Sequence, residues 1–109
     1  MNKHEYPNLG ETLYEEVLPN GLSVLVAVKP GFRKNAAFFA TRYGGADRRF
    51  KVNGEWIDTP AGVAHFLEHK MFDMPDGRNV LSDFAALGAS PNAFTGTGHT
   101  AYYFTGSEN

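Results

Sequence analysis

Cysteine is absent from the 109-residue sequence. That absence excludes a disulfide scaffold, thiolate metal ligation and a cysteine nucleophile. An excess of one charge is missing too. Ten Lys plus Arg stand against twelve Asp plus Glu, for a formal net charge of −2. Duplex nucleic-acid binders ordinarily carry a basic excess, so no nucleic-acid partner is expected. Long apolar runs are also lacking. The longest, Leu22 to Val28, is broken by Ser23, whereas a membrane helix needs roughly 20 apolar residues. No membrane partner is expected. Met1 to Pro7 is polar and leads into no apolar signal segment, so the expected location is the cytoplasm.

Hydrophobic residues make up 42% of the chain and aromatics 14%, enough apolar surface for one small folded domain. No repeat or linker divides residues 1–109, which read as a single domain. Thr12 to Leu18 and Leu22 to Val28 flank Pro19-Asn20-Gly21. Asn-Gly favours a two-residue type I′ turn, so a β-hairpin is predicted there. Asn35 to Tyr43 reads as a third strand stopped by Gly44-Gly45, and Asp47 to Ile57 as a polar loop with a solvated basic cluster. Thr59-Pro60 has the form of a helix start, with the helix running to about Phe72. Asn79 to Leu87 predicts a second helix closed by Gly88. A short strand, Asn92 to Thr95, then turns through Gly96-Thr97-Gly98 into a longer one, His99 to Thr105. Alternation puts Thr100, Tyr102 and Phe104 on one face of that strand and Ala101 and Tyr103 on the other. The order β-β-β-α-α-β-β, with antiparallel hairpins at both ends, predicts an α+β two-layer domain of antiparallel sheet packed on helices.

The first helix carries the chemistry. Val63, Ala64, Phe66, Leu67 and Met71 spread over more than half its circumference, which predicts a buried helix. Yet His65, Glu68 and His69 share one sector, at spacings i, i+3 and i+4. Two imidazoles and a carboxylate on a buried helix need partners, because an unpaired buried charge is costly. Either histidine alone would ordinarily be a hydrogen-bonded core residue. Together they match a metal site: two His one turn apart can both reach one Zn²⁺ at about 2.0–2.1 Å. Glu68 is then placed to deprotonate a water whose pKa the metal lowers to about 7. His4 and His99 lack such company and read as surface residues.

His65-Phe66-Leu67-Glu68-His69 is an inverted zinc motif, His-x-x-Glu-His. The run from Gly62 to Phe72 strongly resembles the active-site helix of the pitrilysin/insulinase family of zinc peptidases. Asn92-Ala93-Phe94-Thr95, followed by Thr100 and Tyr102, resembles that family's Asn-Ala-x-Thr…Thr-x-Tyr segment. Leu18-Pro19-Asn20-Gly21-Leu22 looks like its opening hairpin, and Tyr43-Gly44-Gly45-Ala46-Asp47 like its third-strand end. The loop before the helix and the ending Lys70-Met71-Phe72 look most like a bacterial subgroup.

The resemblance implies a zinc endopeptidase that encloses peptide substrates, with His65 and His69 as ligands to one Zn²⁺ and Glu68 as general base. It further implies that Asn92, Ala93, Phe94 and Thr95 form an edge strand that pairs with the substrate backbone, a mode that reads main chain rather than side chains. The family's third zinc ligand is a glutamate on a later helix, beyond Asn109, and Glu108 is not expected to replace it. The chain is therefore expected to be the N-terminal part of a metallopeptidase domain. A second homologous half or partner subunit would complete the parent. Activity is expected of that parent and not of these residues alone. The alternative is a non-catalytic binding or structural subunit of the same fold, against which the intact Glu68 argues. With one sheet face under-covered, the isolated chain is expected to form a homo-oligomer.

Overall fold

The computed structural model describes residues 1–107, so Glu108 lies outside the described residues. The chain divides into two compact units, residues 1–32 and the residues from Arg33 onward.

The first unit is an antiparallel meander of β1 (Asn2–Tyr6), β2 (Glu11–Val17) and β3 (Ser23–Val28), in that order across the sheet. β1 is a strand that composition did not announce, since its five residues are polar or aromatic and all exposed. Pairing with β2 holds it; across that pair His4 Nε2 lies 3.2 Å from Glu15 Oε2, and within the strand Lys3 pairs with Glu5. A 3₁₀ turn, Pro7–Leu9, ends on Gly10 at φ 63° and reverses the chain into β2.

The β2–β3 hairpin forms where expected, but its turn is not type I′. Leu18 O accepts from Gly21 N at 2.8 Å, Leu18 N donates to Leu22 O at 2.8 Å, and Gly21 has a φ of 85° while Asn20 stays at negative φ. Pro19, whose ring fixes φ near −65°, takes the first central position of a type I turn, and Gly21 supplies the left-handed bulge residue that follows. The proline lengthens the loop by one residue.

The second unit is built on a three-stranded antiparallel sheet ordered β4-β8-β7, with β4 spanning Lys34–Thr41, β7 Ser90–Thr95 and β8 Thr100–Ser107. The central strand is thus the last in sequence. Between β4 and β7 come a hairpin, β5 (Arg49–Val52) with β6 (Glu55–Asp58), and two helices, α1 (Val63–Lys70) and α2 (Val80–Ala86). The segment read as a polar loop is therefore a hairpin. Its turn is the type I′ form, with Asn53 at φ 50° and Gly54 at φ 85° between the paired residues Val52 and Glu55.

That hairpin also changes how α1 begins. Thr59 was expected to cap the helix, but its Oγ1 donates to Arg48 O at 3.1 Å and its N–H to the same oxygen at 2.7 Å, extending the β5–β6 closure. Gly62 at φ 91° becomes the cap residue instead, and α1 stops at Lys70 rather than Phe72. α2 matches its reading closely: Asn79 Oδ1 accepts from Leu81 N at 2.9 Å and Gly88 follows at φ 70°.

Both helices pack on β7. Phe72 meets Tyr102 and Phe84 meets Phe104 at centroid distances of 5.9 and 5.1 Å, so the Tyr102 and Phe104 face of β8 is the helix-covered one, as alternation required. α1 itself is not the buried helix expected from its composition. Ala64 and Glu68 are its buried residues, while Phe66, Leu67 and Met71 are exposed. One narrow stripe of α1 faces β7, and within the described residues nothing covers the rest. No helix among the described residues is long and apolar enough to cross a membrane.

Candidate active site

α1 is two turns long, enough to put His65 and His69 one above the other with Glu68 beside them. His65 Nε2 and His69 Nε2 are 3.0 Å apart, with ring centroids 4.8 Å apart at 44°. Both rings are solvent-exposed. Two nitrogens bound to one tetrahedral zinc at 2.0–2.1 Å stand about 3.3 Å apart, so this spacing fits a shared ion. Within the described residues, no group of three or more His, Cys, Asp or Glu side chains gathers around a common point. His65 and His69 are therefore a close pair of imidazoles, side chains of a kind that can ligate a metal.

Glu68, on the same turn, meets β7 and is only 8% exposed. A buried carboxylate without a donor would be strongly disfavoured. The donor is Thr95, at the end of β7, whose Oγ1 lies 2.6 Å from Glu68 Oε2. Tyr102 sits close by on β8. Burial pushes its phenol pKa up, and the nearby Glu68 carboxylate adds to the shift.

Thr95 is fixed from several directions. It pairs with Thr100 across β7 and β8, and Thr100 Oγ1 donates to Tyr43 O at 2.8 Å. The β7–β8 turn is clamped by the segment after β4: Gly45 N donates to Gly96 O and Ala46 N to Thr97 O, both at 2.9 Å. Asp47 Oδ2 accepts from Gly44 N at 2.8 Å and holds that segment in shape. Gly44 is needed for the close approach, because a Cβ there would stand 2.5 Å from His99 N and 2.6 Å from Gly96 O. The two glycines thus do more than stop β4.

β7 is an edge strand, paired on one side with β8 and open on the other. Three observations fix which of its backbone groups face the open side. Pro91 has no N–H to offer β8. Ala93 N donates to Asn92 Oδ1 at 2.8 Å and not to the neighbouring strand. Gly96 N donates to His99 O across the ladder at 2.7 Å. Antiparallel pairs alternate between bonded and unbonded, so Ala93 and Thr95 direct their N–H and C=O groups outward. Side chains alternate as well. Pro91, Ala93 and Thr95 are half-buried, whereas Asn92 and Phe94 are exposed. Phe94 lies edge-on to His99, 5.6 Å between centroids, and both His4 and His99 are surface residues as expected.

Of the residues singled out from sequence, His65 meets His69 on α1 and Glu68 meets Thr95 between α1 and β7, while Asn92 and Phe94 alternate to the face of β7 opposite Thr95. Sequence reasoning missed the Thr95–Glu68 bond, the clamp formed by Gly44 to Asp47, and the proximity of Tyr102 to Glu68. Thr100 and Tyr102 were visible only through the family segment.

A family model described as insulinase (peptidase family M16) matches residues 54–109. The uncharacterized zinc protease YmfH of Bacillus subtilis (strain 168) is 50% identical over 107 residues, covering 96% of this chain and 25% of that protein. The beta subunit of the mitochondrial-processing peptidase of Dictyostelium discoideum is 37% identical over 62 residues, covering 46% of this chain and 13% of the subunit. Among solved structures, an M16-like peptidase from Alicyclobacillus acidocaldarius superposes with a TM-score of 0.85 at 45% identity, covering 96% of this chain and 24% of that one. The chain spans about a quarter of the length of YmfH and of the solved structure.

Proposed function

The chain belongs to the insulinase family of peptidases, peptidase family M16, and from that premise we propose that it carries the metal-binding and general-base part of a zinc-dependent endopeptidase. One observation carries the proposal: His65 and His69 converge at 3.0 Å on α1 while Glu68 is buried on the same turn and hydrogen-bonded by Thr95. His65 and His69 would hold the zinc through Nε2, keeping their protons on Nδ1. When bound, the ion supplies Lewis-acid polarisation and a lowered water pKa of about 7.

The chain's own residues do the rest. Ala93 and Thr95 hold an extended peptide by backbone pairing along the open side of β7, which orients its carbonyl groups without reading side chains. Asn92 and Phe94 flank that strand on its other face. Glu68 accepts a proton from the attacking water as its oxygen bonds to the peptide carbon. It then delivers that proton to the amine nitrogen as the C–N bond breaks. Glu68 ends the cycle unprotonated.

The third ligand would come from a glutamate beyond these residues, and a second homologous half or partner subunit would complete the chamber. Peptide cleavage is accordingly a property of the whole protein. The 109 residues alone would bind zinc weakly, through two nitrogens, and would self-associate.

In the whole protein, Glu68→Gln is expected to keep its zinc and to lose roughly 10²- to 10⁴-fold in peptide cleavage, the usual contribution of a positioned base. His65→Ala and His69→Ala should lose the metal itself. Zinc content and turnover measured together would check both roles, and near-normal cleavage by Glu68→Gln would refute the general-base assignment.

A further inference from the structure

The bond between Thr95 and Glu68 joins the two halves of the site, the strand that would hold the peptide and the carboxylate that would move the proton. At 2.6 Å it lies in the range of charge-assisted O–H···O⁻ bonds. A threonine hydroxyl has a single proton, and here it goes to Oε2, leaving Oε1 free to exchange a proton. Thr95 is also β-branched and stiff at χ1. Its backbone is pinned by pairing with Thr100 and by the clamped turn that follows it. The same residue presents its N–H and C=O to the open side of β7.

We propose that Thr95 is a positioning residue: it orients the Glu68 carboxylate and couples peptide pairing on β7 to the general base. The role rests on Glu68 acting as that base. A peptide paired along β7 adds hydrogen bonds to the backbone of Thr95, restrains its Cα, and through the hydroxyl restrains Oε2. A residue used only for binding would act on substrate affinity. One that orients the base acts on turnover of substrate already bound.

Two measurements on the whole protein test this. The first is a double-mutant cycle in thermal unfolding of the zinc-free protein, with Thr95→Val and Glu68→Gln made singly and together. A coupled pair gives a combined shift in midpoint smaller than the sum of the single shifts, whereas additive shifts would show that the contact carries no weight. The second is steady-state kinetics with the zinc content checked. Thr95→Val is expected to keep its zinc, to lose about 10- to 100-fold in kcat as a misplaced catalytic group does, and to leave KM within about twofold. Thr95→Ser, which retains the hydroxyl, should recover most of kcat. A raised KM with unchanged kcat, or a serine variant no better than valine, would overturn the proposal. Failure of the general-base reading has its own signature: Glu68→Gln would retain turnover while its unfolding stayed coupled to Thr95.

Discussion

Tyr102 shows how a single side chain senses the site. Its hydroxyl is on the helix-covered face of β8, where burial and the Glu68 carboxylate both favour the neutral phenol and raise its pKa. The linkage has a definite sign. Below about pH 10, the ordinary value for tyrosine, the phenol is neutral whether the chain is folded or unfolded, and its stabilising contribution is complete. Above that pH the unfolded chain releases the proton first. Stability therefore falls as pH rises through the folded-state value. Tyr102→Phe has no proton to lose, so its thermal midpoint is expected to decline less between pH 9 and pH 11 than that of the unchanged protein. Equal declines in the two proteins would show that Tyr102 is not the titrating group.

Elements whose signals lie within a few residues of one another are legible in the sequence, and those set by distant partners are not. α2 is readable because its cap, Asn79, and its stop, Gly88, are local, and both act as such. The approach of His65 to His69 is readable because one helical turn separates them. The β5–β6 hairpin hides behind Arg48, Arg49 and Lys51, whose charges suggest a loop although Asn53-Gly54 is a strong turn signal. Thr95 reaching Glu68 joins residues 27 apart in sequence and follows only from the way α1 packs on β7. Gly44 is a similar case. It looks like a strand terminator, but the close backbone approach of the β7–β8 turn is what requires it. A methyl group there would meet backbone atoms that cannot rotate away, so Gly44→Ala is expected to destabilise by about 1–3 kcal/mol, as overpacking does. Gly98, in the same turn, has open space around its Cβ position and no positive φ. Gly98→Ala should stay within about 0.5 kcal/mol. Denaturant midpoints of the two variants give the comparison, and equal midpoints would remove the argument for the clamp.

At the scale of the whole chain, the exposed apolar surface is uneven. The helices cover the β7–β8 part of one face of the β4-β8-β7 sheet and leave Phe39 of β4 exposed there, while the opposite face carries Phe38, Tyr103 and Phe94 as a connected row. Phe38 stacks on Tyr103 at 4.9 Å and 14°, and Tyr103 lies 6.2 Å from Phe94. Phe38 is 66% exposed and Phe94 44%. α1 adds Phe66, 65% exposed, on a different surface. Contiguous exposed aromatics promote association, the open side of β7 offers unpaired backbone groups for strand addition, and a net charge of −2 does little to keep copies apart. The 109-residue chain is therefore expected to sediment at micromolar concentration as a dimer or larger species. Placing charge on the aromatic row, in the pair Phe38→Lys and Phe94→Lys, should shift it toward monomer, because burying two unpaired ammonium groups in a contact is strongly unfavourable. Loss of association on that change, with secondary structure intact by circular dichroism, would assign the contact to this face. A single 12.0 kDa species for the unchanged chain would show that the exposed row is not enough to join two copies.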